Sequence, residues 1–197
     1  KGFIDGAALR KVPVSVAEKI WHLIDYFSGY GFNKSHSTAY AFISYQTAYL
    51  KTHYPLEYMT ALLTSEMGNT DKVVRYIEEC KRLQIPVRPP SVNESFAEFT
   101  CGENYIRFGL SAVKNVGSTA IESILASRLK TGTFSSIFDF AQRVDLRVCN
   151  RKVLESLVKC GAFDEFKFHR AQLVAMMDHV LELAGRLQRD RSKGQMS

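Results

Sequence analysis

Apolar residues recur at helical spacing near the start of the chain, at Val16, Ile20, Leu23, Ile24 and Phe27. That spacing puts them on one stripe of a helix. Ser15 followed by Glu18 has the form of a capping box, and Gly29 and Gly31 interrupt the pattern, so a helix is predicted over about 15–28. Residues 30–36 then read as a loop. Residues 37–52 are apolar on most sides, with Tyr40, Ile43, Tyr49 and Leu50, and predict a buried helix. Its one small stripe, Ser37, Ala41, Ser44 and Ala48, ends at Lys51. Such a stripe suits either a closely packed second helix or a DNA or nucleotide surface. Pro55 at a first helical position opens a third helix that Gly68 closes. Thr70 and Asp71 open a fourth, with Val73, Ile77 and Cys80 inward.

The pattern changes after Ile85. A proline-rich stretch to Pro90 predicts an extended connector. Phe96–Cys101 and Tyr105–Phe108 alternate around Gly102, Glu103 and Asn104, which predicts a small β-hairpin. Short helices with basic turns follow. Leu110 to Leu125 has the shape of a helix, a tight turn and a second helix; Phe138–Val144 reads as a connector helix. Asn150–Lys159, a turn, and a helix beginning near His169 repeat the plan. Residues 186–197 are polar and predict a frayed tail.

The 197 residues are 46% hydrophobic and 23% charged, as in an ordinary soluble globular protein, and no apolar run is long enough to span a membrane. Lys1 starts neither a signal peptide nor a conventional open reading frame, so the chain reads as an excised segment. Cys80, Cys101, Cys149 and Cys160 contain no C-x-x-C pair, which predicts reduced cysteines in a cytoplasmic protein and no zinc site. The net charge of +6 is one-sided. Residues 1–103 hold 11 Lys and Arg against 11 Asp and Glu; residues 104–197 hold 15 against 9. A basic half attracts phosphate backbones.

The turn Lys114-Asn-Val-Gly-Ser-Thr-Ala120 resembles a helix-hairpin-helix motif. That motif places two glycines around an apolar residue, here Val116, and a polar pair at the start of the second helix, here Ser118 and Thr119. Asn115 stands at the first glycine position and tolerates positive φ better than most residues; Gly117 holds the second. Unpaired N–H groups at the helix start, with the helix dipole behind them, hold a phosphate. Lys114 adds charge. Lys159-Cys-Gly161-Ala-Phe is a weaker copy with one glycine. The pair resembles a tandem helix-hairpin-helix unit that grips duplex DNA by its backbone.

Gly31-Phe-Asn-Lys-Ser-His-Ser-Thr-Ala-Tyr-Ala-Phe-Ile-Ser-Tyr-Gln-Thr-Ala-Tyr-Leu-Lys-Thr-His-Tyr-Pro-Leu-Glu-Tyr-Met59 resembles the fingers of bacterial C-family replicative DNA polymerases. Ile106-Arg-Phe-Gly-Leu-Ser-Ala-Val-Lys-Asn-Val-Gly117 and Asn150-Arg-Lys-Val-Leu-Glu-Ser-Leu-Val-Lys-Cys-Gly-Ala-Phe-Asp164 resemble the region downstream, in the same order. The resemblance covers at least residues 1–170. It implies that Lys34, Ser35 and His36 lie near the triphosphate of an incoming dNTP: Lys34 as counter-charge, Ser35 as donor, His36 as donor to a phosphate or sugar oxygen or as a helper of the leaving pyrophosphate. It also implies a palm whose aspartates hold Mg2+ for the attack of the primer 3′-hydroxyl. Asp5, Asp25 and Asp71 are scattered singly and match no such cluster, so the palm is expected upstream of Lys1. Gln195-Met-Ser197 resembles the start of the family's peptide for the sliding clamp.

The fold expected is mainly α. Residues 1–90 form part of the fingers and 91–109 a connector with a small hairpin. Residues 110–185 form a tandem helix-hairpin-helix domain, and 186–197 a tail. The expected partners are primer–template DNA, dNTP, the sliding clamp and other replicase subunits, with no membrane. DNA contacts are expected at Lys51, Lys114, Asn115, Val116, Gly117, Ser118, Thr119, Lys159 and Gly161. The rival reading is a stand-alone helix-hairpin-helix DNA-binding module without enzymatic function.

Overall fold

A computed structural model describes residues 2–29, 34–192 and 194. The chain divides into two compact units, residues 1–49 and 50–197, with the boundary inside one helix.

In the first unit α1 (Gly2–Leu9) packs on α2 (Val14–Gly29), with the Phe3 and Trp21 rings 5.6 Å apart. Lys11, at φ 62°, turns the chain between them. Helix α2 opens one residue before the expected start. The Pro13 carbonyl accepts from the N–H groups of Val16 and Ala17, which places Ser15 inside the first turn and not at its cap. Helix α3 (Lys34–His53) starts three residues earlier than its periodicity suggested, so Lys34, Ser35 and His36 form its first turn and not a loop. The rest of that expected loop, residues 30–33, lies outside the described residues. Nor is α3 buried: Tyr40, Ile43, Tyr49 and Leu50 are all exposed. Ala17 is the one buried residue among those described in this unit. An apolar surface asks for a covering body, and a sequence pattern does not say which body supplies it.

The second unit has two cores. Helices α4 (Pro55–Ser65) and α5 (Thr70–Arg82) pack together and on a three-stranded sheet, burying Met59, Leu63, Cys80 and Ile106. Asn69, not Thr70, caps α5, its side chain accepting from the Lys72 N–H. The sheet order is β1 (Val87–Arg88), β3 (Ile106–Arg107), β2 (Thr100–Cys101), with β1 parallel and β2 antiparallel to β3. The expected hairpin is therefore present but short, and the connector supplies a third strand. Its flanks pair elsewhere: Leu110 and Ser111 donate to the carbonyls of Phe96 and Ala97.

The larger core is built from a 3-10 turn at Leu110–Ala112, α6 (Ser118–Thr131), α7 (Ile137–Arg143), α8 (Arg151–Lys159), a 3-10 turn at Asp164–Phe166, α9 (Arg170–Ala175) and α10 (Met177–Ser192). Phe140 is its centre, edge-on to Phe163 at 5.0 Å and to Phe134 at 4.9 Å. The first limb of the expected hairpin motif is only the 3-10 turn. Residues 186–192 continue α10, held by Gln188, whose Nε2 donates to the carbonyls of Ala141 and Val144 at 2.9 and 2.8 Å. The segment after Pro90 is tied to this core: Asn93 Nδ2 donates to the Phe134 carbonyl and Oδ1 accepts from the Phe134 N–H.

Candidate nucleic-acid interface

The turn from Lys114 to Thr119 is anchored by one residue and open on the rest. Val116 is buried in the larger core, while Lys114, Asn115, Gly117, Ser118 and Thr119 are exposed. Asn115 adopts φ 68°, the left-handed conformation that asparagine tolerates. Its Nδ2 donates to Ser156 Oγ at 3.2 Å, linking the turn to α8. Gly117 caps α6 with φ −80° and ψ 162°, ordinary extended backbone that any residue adopts. The backbone at this position therefore does not itself require glycine. What glycine leaves there is room, since a Cβ would meet no atom of the chain within 4 Å.

The N-terminus of α6 is polar and unfilled. The Gly117 carbonyl takes the N–H groups of Ala120 and Ile121, and among the described residues nothing accepts from those of Ser118 and Thr119. By contrast Asn150 caps α8, its side chain accepting from Lys152 and Val153, and Ser136 caps α7. Two outward N–H groups at the positive end of a 14-residue helix form an anion-binding arrangement.

The second turn is built differently. Gly161 has φ +91°, the Gly161 N–H reaches the Val158 carbonyl and the Ala162 N–H the Leu157 carbonyl, a Schellman end to α8. Arg170 closes over it, bonding Asp164 and donating to the Lys159 carbonyl at 2.9 Å. A Cβ on Gly161 would collide with that arginine. Gly161 is buried and consumed by the fold.

Lys114, Asn115, Ser156 and Lys159 line a common open groove of about 550 Å³ floored by Pro89, Pro90, Phe108 and Cys160. The structure thus brings the two basic ends of the turns together. Lys159 is partly neutralised by Glu155 at 2.5 Å, whereas Lys114 has no carboxylate partner among the described residues. Lys51 stands apart, paired with Glu79 at 2.7 Å beside Arg75 and Arg82. That pair holds the Glu79 carboxyl below its usual range. Of the basic surplus after residue 103, Arg143, Arg147, Arg151, Arg170 and Arg186 are held by carboxylates. Lys114, Lys130, Lys152 and Lys167 have no carboxylate partner among the described residues, a difference that a count of charges along the sequence does not show.

Residues 84–173 match the helix-hairpin-helix motif family. Over 189 residues the chain is 48% identical to the DNA polymerase III subunit alpha of Campylobacter jejuni, covering 94% of this chain and 16% of that protein. It is 44% identical over 194 residues to that of Vibrio cholerae, covering 98% of this chain and 17% of the relative. The Thermus aquaticus subunit is 48% identical over 182 residues, 92% of this chain and 15% of its own length. The chain is homologous to one stretch of the DNA polymerase III alpha subunit. It spans about a sixth of the length of these relatives. The alpha-subunit match takes in nearly every residue, residues 31–59 included.

Lys34, Ser35 and His36 are exposed on the first turn of α3. The Lys34 carbonyl accepts from Ser37 and Thr38 hydroxyls, and the His36 ring lies 4.3 Å from that of Tyr40. Gln195, Met196 and Ser197, the expected start of a clamp peptide, lie outside the described residues. Among the described residues no three His, Cys, Asp or Glu side chains come together to hold a metal ion. No described helix is long and apolar enough to cross a membrane.

Proposed function

We propose that this chain is the part of a bacterial replicative DNA polymerase that holds primer–template duplex by its backbone and presents α3 to the incoming dNTP. Residues 1–90 belong to the fingers, 91–109 to a connector and 110–185 to the helix-hairpin-helix domain. The parent enzyme is a cytoplasmic DNA-directed DNA polymerase, with Mg2+ held by residues outside this segment. Its partners include the sliding clamp and other replicase subunits.

The observation that carries the reading is the start of α6, where among the described residues nothing accepts from two N–H groups, beside Lys114, which has no carboxylate partner among them. A DNA phosphate satisfies both N–H groups, and the absent Cβ of Gly117 lets it approach. Such contacts fix register and read no bases. Lys34, Ser35 and His36 give the triphosphate a counter-charge and donors at the start of a second long helix.

The test is a duplex titration of the chain and of Gly117→Val, each checked by circular dichroism. Loss of one or two charge-assisted contacts lowers affinity about 10- to 150-fold, equally on unrelated sequences. Normal affinity in a folded Gly117→Val makes the turn a structural bend. In the full polymerase, Lys34→Ala and His36→Ala weaken dNTP use by a similar factor; unchanged incorporation kinetics in both would remove them from the site.

A further inference from the structure

A second cleft of about 420 Å³ lies between the sheet and the start of the larger core, bounded by Phe96, Tyr105, Cys101, Asn93, Arg107 and Arg128. The helix-hairpin-helix turns contribute nothing to it. Phe96 is 55% exposed. Its backbone is fixed, the Phe96 carbonyl accepting from the Leu110 N–H at 2.9 Å. The Arg128 guanidinium lies 5.0 Å from the centre of its ring. That arginine is itself pinned, Nη1 donating to the carbonyls of Val92 at 3.1 Å and Ser95 at 2.8 Å.

Tyr105 is the second ring. The Arg88 guanidinium sits 3.6 Å from its centroid, and Gly102 lies so close that a Cβ there would collide with the ring. Arg107 is engaged by Glu94 and by the Pro89 carbonyl, so it props the wall and carries no spare charge. Arg88 is exposed and has no carboxylate partner among the described residues. The cleft therefore presents the Phe96 ring against Arg128, the Tyr105 ring against Arg88, and the Thr100 hydroxyl, with the Glu94 carboxylate also on its lining; Arg88 lies outside the lining, and the Asn93 amide is spent on Phe134 and Glu165.

We infer that this cleft binds unstacked nucleobases of a single nucleic-acid strand. A base has a flat π-face for Phe96 and a polar edge for the Thr100 hydroxyl. A cation behind a ring and a held backbone remove most of the ordering cost of stacking. Bases inside a duplex are already stacked on their neighbours, so the cleft selects single strand. The inference rests on the polymerase reading for why a single strand would pass here, since a template ahead of the primer end is unpaired; the geometry of the cleft is independent of it.

The experiment titrates the complete chain at low salt with fluorescein-labelled oligothymidylate, an abasic oligonucleotide of the same length, and a duplex hairpin. Wild-type protein is expected to bind oligothymidylate at least about 5-fold tighter than the abasic strand, which has the same phosphates and no bases. Phe96→Leu, which keeps the apolar bulk and removes the π-face, weakens oligothymidylate binding about 5- to 150-fold and leaves the hairpin unaffected. Phe96→Trp retains binding. Equal affinity for oligothymidylate and abasic strand overturns the inference without any variant. So does a folded Phe96→Leu with wild-type affinity, the result expected if Phe96 instead meets a protein surface. Loss of hairpin binding through Gly117→Val, with stacking intact, would bear on the duplex site alone.

Discussion

The two turns that look alike in sequence, Lys114–Thr119 and Lys159–Phe163, spend their glycines in opposite ways. In the first, the left-handed residue is Asn115 and the glycine is extended, exposed and unopposed. In the second, Gly161 is the left-handed residue, buried under Arg170, and its neighbours' N–H groups are all turned onto α8. One glycine makes space for something outside the chain; the other ends a helix. A glycine in a hairpin-like string is thus evidence of a ligand only when its own φ is unremarkable and its missing Cβ faces open space.

The largest effect expected from this contrast is at Gly161. Gly161→Val forces a branched side chain into φ +91° and against Arg170, and should lower unfolding free energy by about 1–3 kcal/mol in urea denaturation. An unchanged midpoint would mean the two turns are equivalent. Asn115→Val should cost about 1–2 kcal/mol, because a β-branched residue resists left-handed backbone and the bond to Ser156 is lost, while Asn115→Gly should sit within about 0.5 kcal/mol of wild type. If both variants unfold at the same urea concentration, backbone conformation is not what asparagine supplies.

Smaller still is Lys114→Ala. Stability should stay within about 0.5 kcal/mol, and the slope of log affinity for duplex against log salt should shrink by about 1. Lys159→Ala should shrink it less, since Glu155 already holds that ammonium. Equal slopes for the two variants would erase the asymmetry between the turns. The least effect is one of pH. Burial pushes the Cys149 thiol, packed behind α6, up to about 12 from an ordinary 9.0. The folded thiol stays neutral where the unfolded one ionises, so its stabilisation is complete below about 9 and is lost as pH rises from there toward 12. Urea midpoints at pH 8 and pH 10 should fall further apart in wild type than in Cys149→Ala.

Local chemistry was legible wherever it was self-contained. Asn115 was expected to take positive φ, and Pro55 to open a helix, because each depends on its own backbone. The string from Gly31 to Met59 carried its ancestry openly. What stayed hidden depended on distant partners. Nothing near Arg143 in sequence shows that its guanidinium would cap the carbonyls of Ser127, Gly132 and Thr133 and not serve DNA. Nothing near Asn93 shows that it would grip Phe134, 41 residues away. The periodicity of α3 marked its faces as apolar and predicted burial, yet Tyr40, Phe42, Ile43, Tyr45, Tyr49 and Leu50 are exposed.

That last feature has a practical meaning for anyone handling the polypeptide. Ile20, Leu23, Ile24 and Phe27 form an apolar hollow on α2, and Phe42 and Tyr45 stand out from α3. Such surfaces are sought by chaperones and by one another. A purified 197-residue chain should therefore combine a well-packed unit with one that exposes adhesive apolar surface. Its colloidal behaviour would be set by the first 49 residues and its melting by the remainder. Light scattering and calorimetry on one sample would then report on different units of the same chain.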